Sequence, residues 1–306
     1  MSYKKEKLVE LKNVTLTFNK GKPNQIKALN NINLDIYKGE IFGLVGESGS
    51  GKTTLGMSLL GLQNIDKGKI KFAGNSISQL REKELFRFRK LAQMIFQNPR
   101  ASLDGRMKIK DIVTEGLVAH KKNISSRERD VQAKALLQLV GLSEDYLYRY
   151  PHELSGGQCQ RVGIARALAV EPAFVVADEP ISALDMSIRS QIVHLLKKLQ
   201  LNNGLTYLFI AHDLSIVSQF SDRIGVMHQG KIVEVGPSQV ICRRPIHPYT
   251  QNLLSAVPIP DPEIEKNRTY KAYTAKAIEC NTKEQRLREI EPDHFALLTE
   301  KEAKNL

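Results

Sequence analysis

Tryptophan is absent from this 306-residue chain, and all aromatics together make up only 6% of it. They form no alternating basic and aromatic stripe of the kind that stacks single-stranded bases, so nucleic acid is a minority reading. Cysteine is nearly as scarce, with Cys159, Cys242 and Cys280 as the whole complement. An odd number so widely spaced suits neither a disulfide framework nor a CxxC metal site, so free thiols are expected. Long apolar runs are missing too. None approaches the roughly 18 to 20 residues needed to cross a bilayer, and the opening MSYKKEKLVE lacks the apolar core of a secretory leader. The expectation is a chain kept in the cytoplasm.

What remains is the composition of a folded protein: 42% hydrophobic and 25% charged residues exclude a wholly disordered chain. The length accommodates one large α/β domain with an appended segment, or two domains. Lys and Arg number 45 against 33 Asp and Glu, a net charge of +12. That excess favours anionic partners, but cannot choose among nucleotides, nucleic acids and acidic lipid.

LVELKNVTLTF and ALNNINLDIYKGE alternate apolar and polar residues around a turn rich in Gly, Lys and Asn. They read as half-buried antiparallel strands leading into IFGLVG, whose unbroken apolar run suits a buried parallel strand. AFVVADEP and LTYLFIAHD are two more such strands, with amphipathic SIRSQIVHLLKKLQ between them. This alternation predicts a parallel sheet with its working loops at the carboxyl edge. From about Ser78 to Ala169 the pattern is mainly helical. Beyond about Val240, Pro245, Pro248, Pro258, Pro260 and Pro262 punctuate the chain before a charged, apolar-poor tail, read as an accessory extension.

GESGSGKT, Gly46 to Thr53, fits the phosphate-loop pattern GxxxxGK[ST] and sits between a buried strand and a helix as that pattern requires. Glycines at 46, 49 and 51 permit backbone angles and close approaches that a Cβ hinders, so that successive N–H groups can face phosphate oxygens. Gly46, Glu47, Ser48, Gly49, Ser50, Gly51, Lys52, Thr53 and Thr54 are therefore the candidate nucleotide contacts. Lys52 is expected to reach the β- and γ-phosphates, the Thr53 hydroxyl to ligate Mg²⁺, and the following helix to turn its positive end to the same anion.

Asp178 and Glu179 end the buried strand AFVVADE, where a doubly wound sheet delivers side chains to a phosphate site. An isolated Asp-Glu pair more often forms a simple acidic turn. Behind a phosphate loop, Asp178 is expected to hold Mg²⁺ and Glu179 to polarise the attacking water as general base. His212 closes LFIAH and should emerge on the same edge, able to orient that water. Gln97, after the apolar run QMIF, could contact Mg²⁺ or the water. Each of these two is a weak signal alone.

LSGGQ, Leu154 to Gln158, resembles the signature sequence of ABC ATPases, and ISALD, Ile181 to Asp185, resembles their D-loop. The resemblance runs from about residue 8 to 240. It implies a P-loop NTPase cassette of α/β class: a RecA-like core, an antiparallel β subdomain and an inserted helical subdomain at about 98–170. The ATP-binding domain is then 1–240, with a C-terminal extension at 241–306. It also implies that Ser155, Gly156, Gly157 and Gln158, at a helix start, close over nucleotide held by another subunit, with Asp185 nearby and Phe18 stacked on adenine. ATP and Mg²⁺ are the implied cofactors.

RRPIHPYTQNLLSAVPIPDP, Arg243 to Pro262, narrows the resemblance to ATPases of the oligopeptide, dipeptide and nickel importer group, as do YPHELSGGQ and FQNPRASL. The whole chain, with EIEPDHF in its tail, is most similar to F-type subunits of Gram-positive oligopeptide permeases (Opp or Ami type). That implies a D-type ATPase partner in a heterodimer, two permease subunits and an extracellular peptide-binding protein, at the cytoplasmic face of the cell membrane. Import of dipeptide, nickel or glutathione stays open, while a soluble cassette acting on nucleic acid or ribosomes has only the basic charge in its favour. No iron–sulfur cluster is expected, because Cys242 and Cys280 are too few and too far apart. Cys159 follows the signature where relatives carry a long polar residue; a buried small side chain is the expectation.

Overall fold

The computed structural model describes residues 6–78, 80–121, 124–255 and 285–305. Cys280, Pro258, Pro260 and Pro262 lie outside the described residues. Strands β1 (Lys7–Phe18) and β2 (Ile26–Tyr37) pair antiparallel, and β1 also pairs with β4 (Lys67–Phe72), which carries the short β5 (Asn75–Ser76). Together they form a four-stranded sheet in the order β2-β1-β4-β5. Between β2 and β4 lie β3 (Ile41–Val45) and α1 (Lys52–Leu59).

Strand β3 belongs to the larger sheet, beside β6 (Ala92–Ile95), β7 (Phe174–Asp178), β8 (Thr206–Ala211) and β9 (Arg223–His228), all mutually parallel where they pair. Every residue of β3, β7 and β8 is buried, as expected of a sheet covered on both faces. Its two faces contact different layers. Phe42, Leu44, Phe174, Val176, Leu208 and Ile210 pack with α1 and the antiparallel sheet. Ile41, Val45, Val175, Ala177, Tyr207 and Phe209 pack with the helices of the other side. That period-two division is what makes the apolar runs of these strands continuous rather than alternating.

Helix α2 (Glu82–Leu91) precedes β6, and the pairing of β6 with β7 places a strand inside the stretch read as mainly helical. Four residues are too short a run for periodicity to separate from the flanking helices. The helical layer proper comprises α3 (Ile109–His120), α4 (Ser126–Leu139) and α5 (Gly156–Leu168). Ile109, Ile112, Val113, Ala133, Leu137, Val162 and Ile164 supply the core between them. Cys159 on α5 is fully buried, with Sγ 3.5 Å from the Pro151 carbonyl, and burial raises its thiol pKa. Helices α6 (Met186–Asn203) and α7 (Leu214–Phe220) flank β8.

The C-terminal segment joins the same sheet. Strand β10 (Lys231–Pro237) pairs with β9 on one side and with β12 (His294–Leu298) on the other, and β11 (Arg286–Glu291) closes the edge. Helices α8 (Ser238–Arg243) and α9 (Pro248–Ser255) follow β10. Glu234 on β10 is fully buried and gathers this region: its carboxylate accepts the Ile246 and His247 N–H groups at 2.8 and 3.0 Å, and His294 Nε2 lies 2.8 Å away. A buried carboxylate left without such partners would be costly, so these contacts hold the segment to the sheet.

Burial pushes the His247 pKa from 6.5 down to about 4, against the opposing pull of Glu234. Its Nδ1 accepts the Tyr249 N–H at 3.2 Å, which requires the neutral ring. Between those two values the unfolded chain binds a proton that the folded chain refuses. The stability from neutral His247 is therefore present above about pH 6.5 and lost as pH falls toward 4. Denaturant titrations of wild type and His247→Gln at pH 7.5 and 5.0 are expected to converge by about 2 kcal/mol at the lower pH. An unchanged gap would rule out a buried neutral imidazole.

Candidate functional site

The carboxyl ends of four parallel strands lie level, with Val45 opposite Ala211, Asp178 opposite Ile210 and Ile95 opposite Ala177. Each delivers one part of a single cluster: β3 the phosphate loop, β6 Gln97, β7 the Asp178 and Glu179 pair, and β8 His212. Sheet geometry thus brings together residues more than a hundred positions apart in sequence.

The loop's conformation depends on its glycines. Gly46 has φ +154°, and a Cβ there would stand 2.1 Å from the Met227 carbonyl oxygen. Gly51, capping α1 with φ +105°, would place a Cβ 2.3 Å from the Ala28 oxygen. Neither position admits a larger residue without moving backbone. Glu47, Ser48 and Gly49 face solvent, while the Ser50 hydroxyl is buried with no hydrogen-bond partner among the described residues. Such an orphan is costly unless a ligand satisfies it.

Lys52 is buried, and its ammonium donates to the Gly46 and Glu47 carbonyls at 2.7 and 2.8 Å. An ammonium has three donors, so one stays free for an anion by this account of the described residues. Burial lowers its pKa, opposed by Glu179, Asp178 and Glu47. Thr53 Oγ1 donates to Asp178 Oδ1 at 3.0 Å. Burial raises the Asp178 pKa; the Thr53 bond and Lys52 oppose this, and the Glu179 charge adds to it. A cation alongside would restore the ionised form. Among the described residues no group of three or more His, Cys, Asp or Glu side chains could hold a metal ion. One carboxylate and one hydroxyl do fit Mg²⁺, which takes few protein oxygens and completes its shell with phosphate and water.

Glu179 has φ +43°, a left-handed turn that a non-glycine residue adopts at a cost, and its N–H is tied to the Ile210 carbonyl at 3.0 Å. Its Oε2 accepts Gln97 Nε2 at 2.7 Å and lies 3.6 Å from His212 Nδ1. The carboxylate is mostly shielded, at 17% exposure, whereas His212 is 59% exposed. A carboxylate oriented by two polar neighbours at the mouth of a phosphate loop can accept a proton from water.

The LSGGQ residues lie at the start of α5. Ser155 caps α5: its side chain accepts the Gln158 N–H at 3.3 Å, and Gln158 Oε1 accepts the Ser155 N–H at 2.8 Å. Gly157 approaches α6, where a Cβ would meet Ile188 Cγ2 at 2.8 Å. No hydrogen bond joins LSGGQ to the phosphate loop among the described residues. Asp185 caps α6 without a side-chain bond and is exposed beside Met186, itself 82% exposed. Phe18 ends β1 with its ring 37% exposed. One contact escaped the sequence reading: the Tyr249 hydroxyl accepts the Glu47 N–H at 3.0 Å. Only the Tyr in HPYT could have signalled it, and nothing local in sequence connects it to the loop.

The family model described as ABC transporter matches residues 29–182. The chain belongs to the ABC transporter family. A second model, for the C-terminal region of oligopeptide/dipeptide transporters, matches residues 233–284 of this ABC ATPase. It is 62% identical to an oligopeptide transport ATP-binding protein, OppF, of Streptococcus mutans, over 99% of this chain and 98% of that one. It is 58% identical to a dipeptide transport ATP-binding protein, DppF, of Lactococcus lactis, over 97% and 96%. A solved dimeric ATP-binding cassette in a post-hydrolysis state, bound to ADP and Pi, superposes with a TM-score of 0.70 at 33% identity. It covers 76% of this chain and 99% of its own. As a member of the ABC ATPases the protein binds and hydrolyses ATP.

Proposed function

We propose that this ABC ATPase drives uptake of oligopeptides, at the cytoplasmic face of the membrane and beneath two permease subunits. The observation that carries the reading is near full-length similarity to an oligopeptide transport ATP-binding protein, extending through the C-terminal transporter region. No helix among the described residues is long and apolar enough to cross a membrane; in this reading the permeases carry the cargo. The 58% identity to a dipeptide transport ATP-binding protein favours dipeptides as a second reading.

In the proposed site, amides of Ser48 to Thr54 cradle the phosphates, Ser50 gains its missing partner, and Lys52 reaches the β- and γ-oxygens. Phe18 stacks on adenine. Thr53, Asp178 and Gln97 would hold Mg²⁺, which would neutralise charge on the phosphates. Glu179 accepts the proton of the attacking water, which His212 helps to orient. Ser155, Gly156, Gly157, Gln158 and Asp185 of this chain complete the site of a D-type ATPase partner, whose signature completes this one. The exposure of Ser155 and Asp185, and the lack of a hydrogen bond from LSGGQ to the loop among the described residues, support that division. A cleft of about 750 Å³ lined by Phe96, Gln97, Ala101, Glu115 and Arg166 opens beside Thr53 and Asp178. It suits a cytoplasmic permease loop, through which closure on ATP and reopening after hydrolysis would be transmitted. An extracellular peptide-binding protein feeds the permeases.

Affinity purification of the tagged chain from detergent-solubilised membranes is expected to recover a second, similar ATPase and two polytopic proteins. Recovery with nucleic acid or ribosomes alone would refute the transport reading.

A further inference from the structure

The peptide unit joining Gly46 to Glu47 is gripped on both edges. Its carbonyl accepts the Lys52 ammonium at 2.7 Å, and its N–H donates to the Tyr249 hydroxyl at 3.0 Å. The first grip lies within the loop, whereas the second arrives from 202 residues along the chain. Tyr249 is fully buried, its ring against His228 with centroids 4.0 Å apart at 33°. A phenol taken so far from water needs a partner for its oxygen, and loop backbone is one.

This grip matters because the tip of the loop, Glu47 to Gly49, faces solvent. Within the loop Lys52 and the Ser50 N–H hold the Glu47 carbonyl, and the rest of the chain holds the loop at its two ends. At the far end the Ser50 carbonyl accepts the Gly230 N–H at 2.9 Å. At the near end stands Tyr249. The Tyr249 N–H is itself bonded to His247, whose own N–H is held by Glu234, the residue that also holds His294 of β12. Hydrogen bonds linked through the covalent frames of His247 and Tyr249 therefore join the tail hairpin to the phosphate loop.

We propose that Tyr249 is a positioning residue of the phosphate loop, through which the C-terminal segment sets the affinity for ATP. The inference rests on the loop being the ATP site. A peptide plane fixed before the nucleotide arrives loses less freedom on binding, so the hydroxyl raises affinity without touching the ligand. Linkage requires the reverse as well: bound ATP must tighten the segment around Tyr249.

The test uses the full-length chain and a fluorescent ATP analogue, mant-ATP, with Mg²⁺. Tyr249→Phe, which removes one oxygen, is expected to weaken binding about 3- to 10-fold, the range for a lost hydrogen bond. In the assembled transporter KM for ATP should rise in proportion while kcat stays within about twofold. ATP should slow amide exchange over residues 246–251 in the wild type and less in the variant. Wild-type affinity in Tyr249→Phe would overturn the proposal, whether or not the melting temperature falls. So would a wild-type chain whose exchange over 246–251 ignores ATP, a measurement that needs no variant to fold. Lys52→Ala separates the two readings. If it loses mant-ATP binding while Tyr249→Phe does not, only the role of Tyr249 fails; if it binds like wild type, the loop itself is misread.

Discussion

Glu179→Gln is expected to bind ATP as the wild type does and to turn it over about 10²-fold or more slowly, the contribution of a positioned base. The substitution keeps the size of the side chain and its place at the end of β7. It exchanges an oxygen that can take a proton for an amide that cannot. No other described group is placed to compensate. Asp178 is buried and engaged with Thr53, and His212 stands 3.6 Å from Glu179 with most of its side chain in solvent. With chemistry blocked and binding intact, the paired ATPases should accumulate closed around ATP. Phosphate release by the assembled transporter, measured beside mant-ATP affinity, checks both halves. Hydrolysis at the wild-type rate would remove Glu179 as the base.

That the candidate site residues share one sheet edge was largely legible, because buried parallel strands announce themselves as unbroken apolar runs. IFGLV, FVVAD and TYLFIA end level in the sheet, so the residues that follow them had to share an edge. The contact of Gln97 with Glu179 was within reach of the same logic, although AQMI was too short to stand out as a strand. Periodicity is silent about pairing between distant segments. RLREIE is charged and partly exposed, yet it closes the edge of the main sheet through β12. What looked like an appended tail is held by Glu234, a carboxylate whose burial no local pattern reveals. Tyr249 escaped for the same reason: its partner is a backbone amide, and an amide carries no sequence signature.

Peptide uptake is the second large effect, because a permease without its ATPase has no source of work. In the proposed assembly each cycle needs closure and reopening of an ATPase pair, with this chain supplying one face of each composite site. Cells lacking it should take up a labelled oligopeptide no better than cells lacking the permeases. The wild-type chain should restore uptake, and Glu179→Gln, produced at the same level, should not. Loss of dipeptide uptake alone would move the assignment to the second reading. The decisive measurement is therefore ATP-dependent uptake of labelled oligopeptide in the deletion strain: background uptake, rescued only by the hydrolysing chain, is the expected result, and undiminished uptake would contradict it.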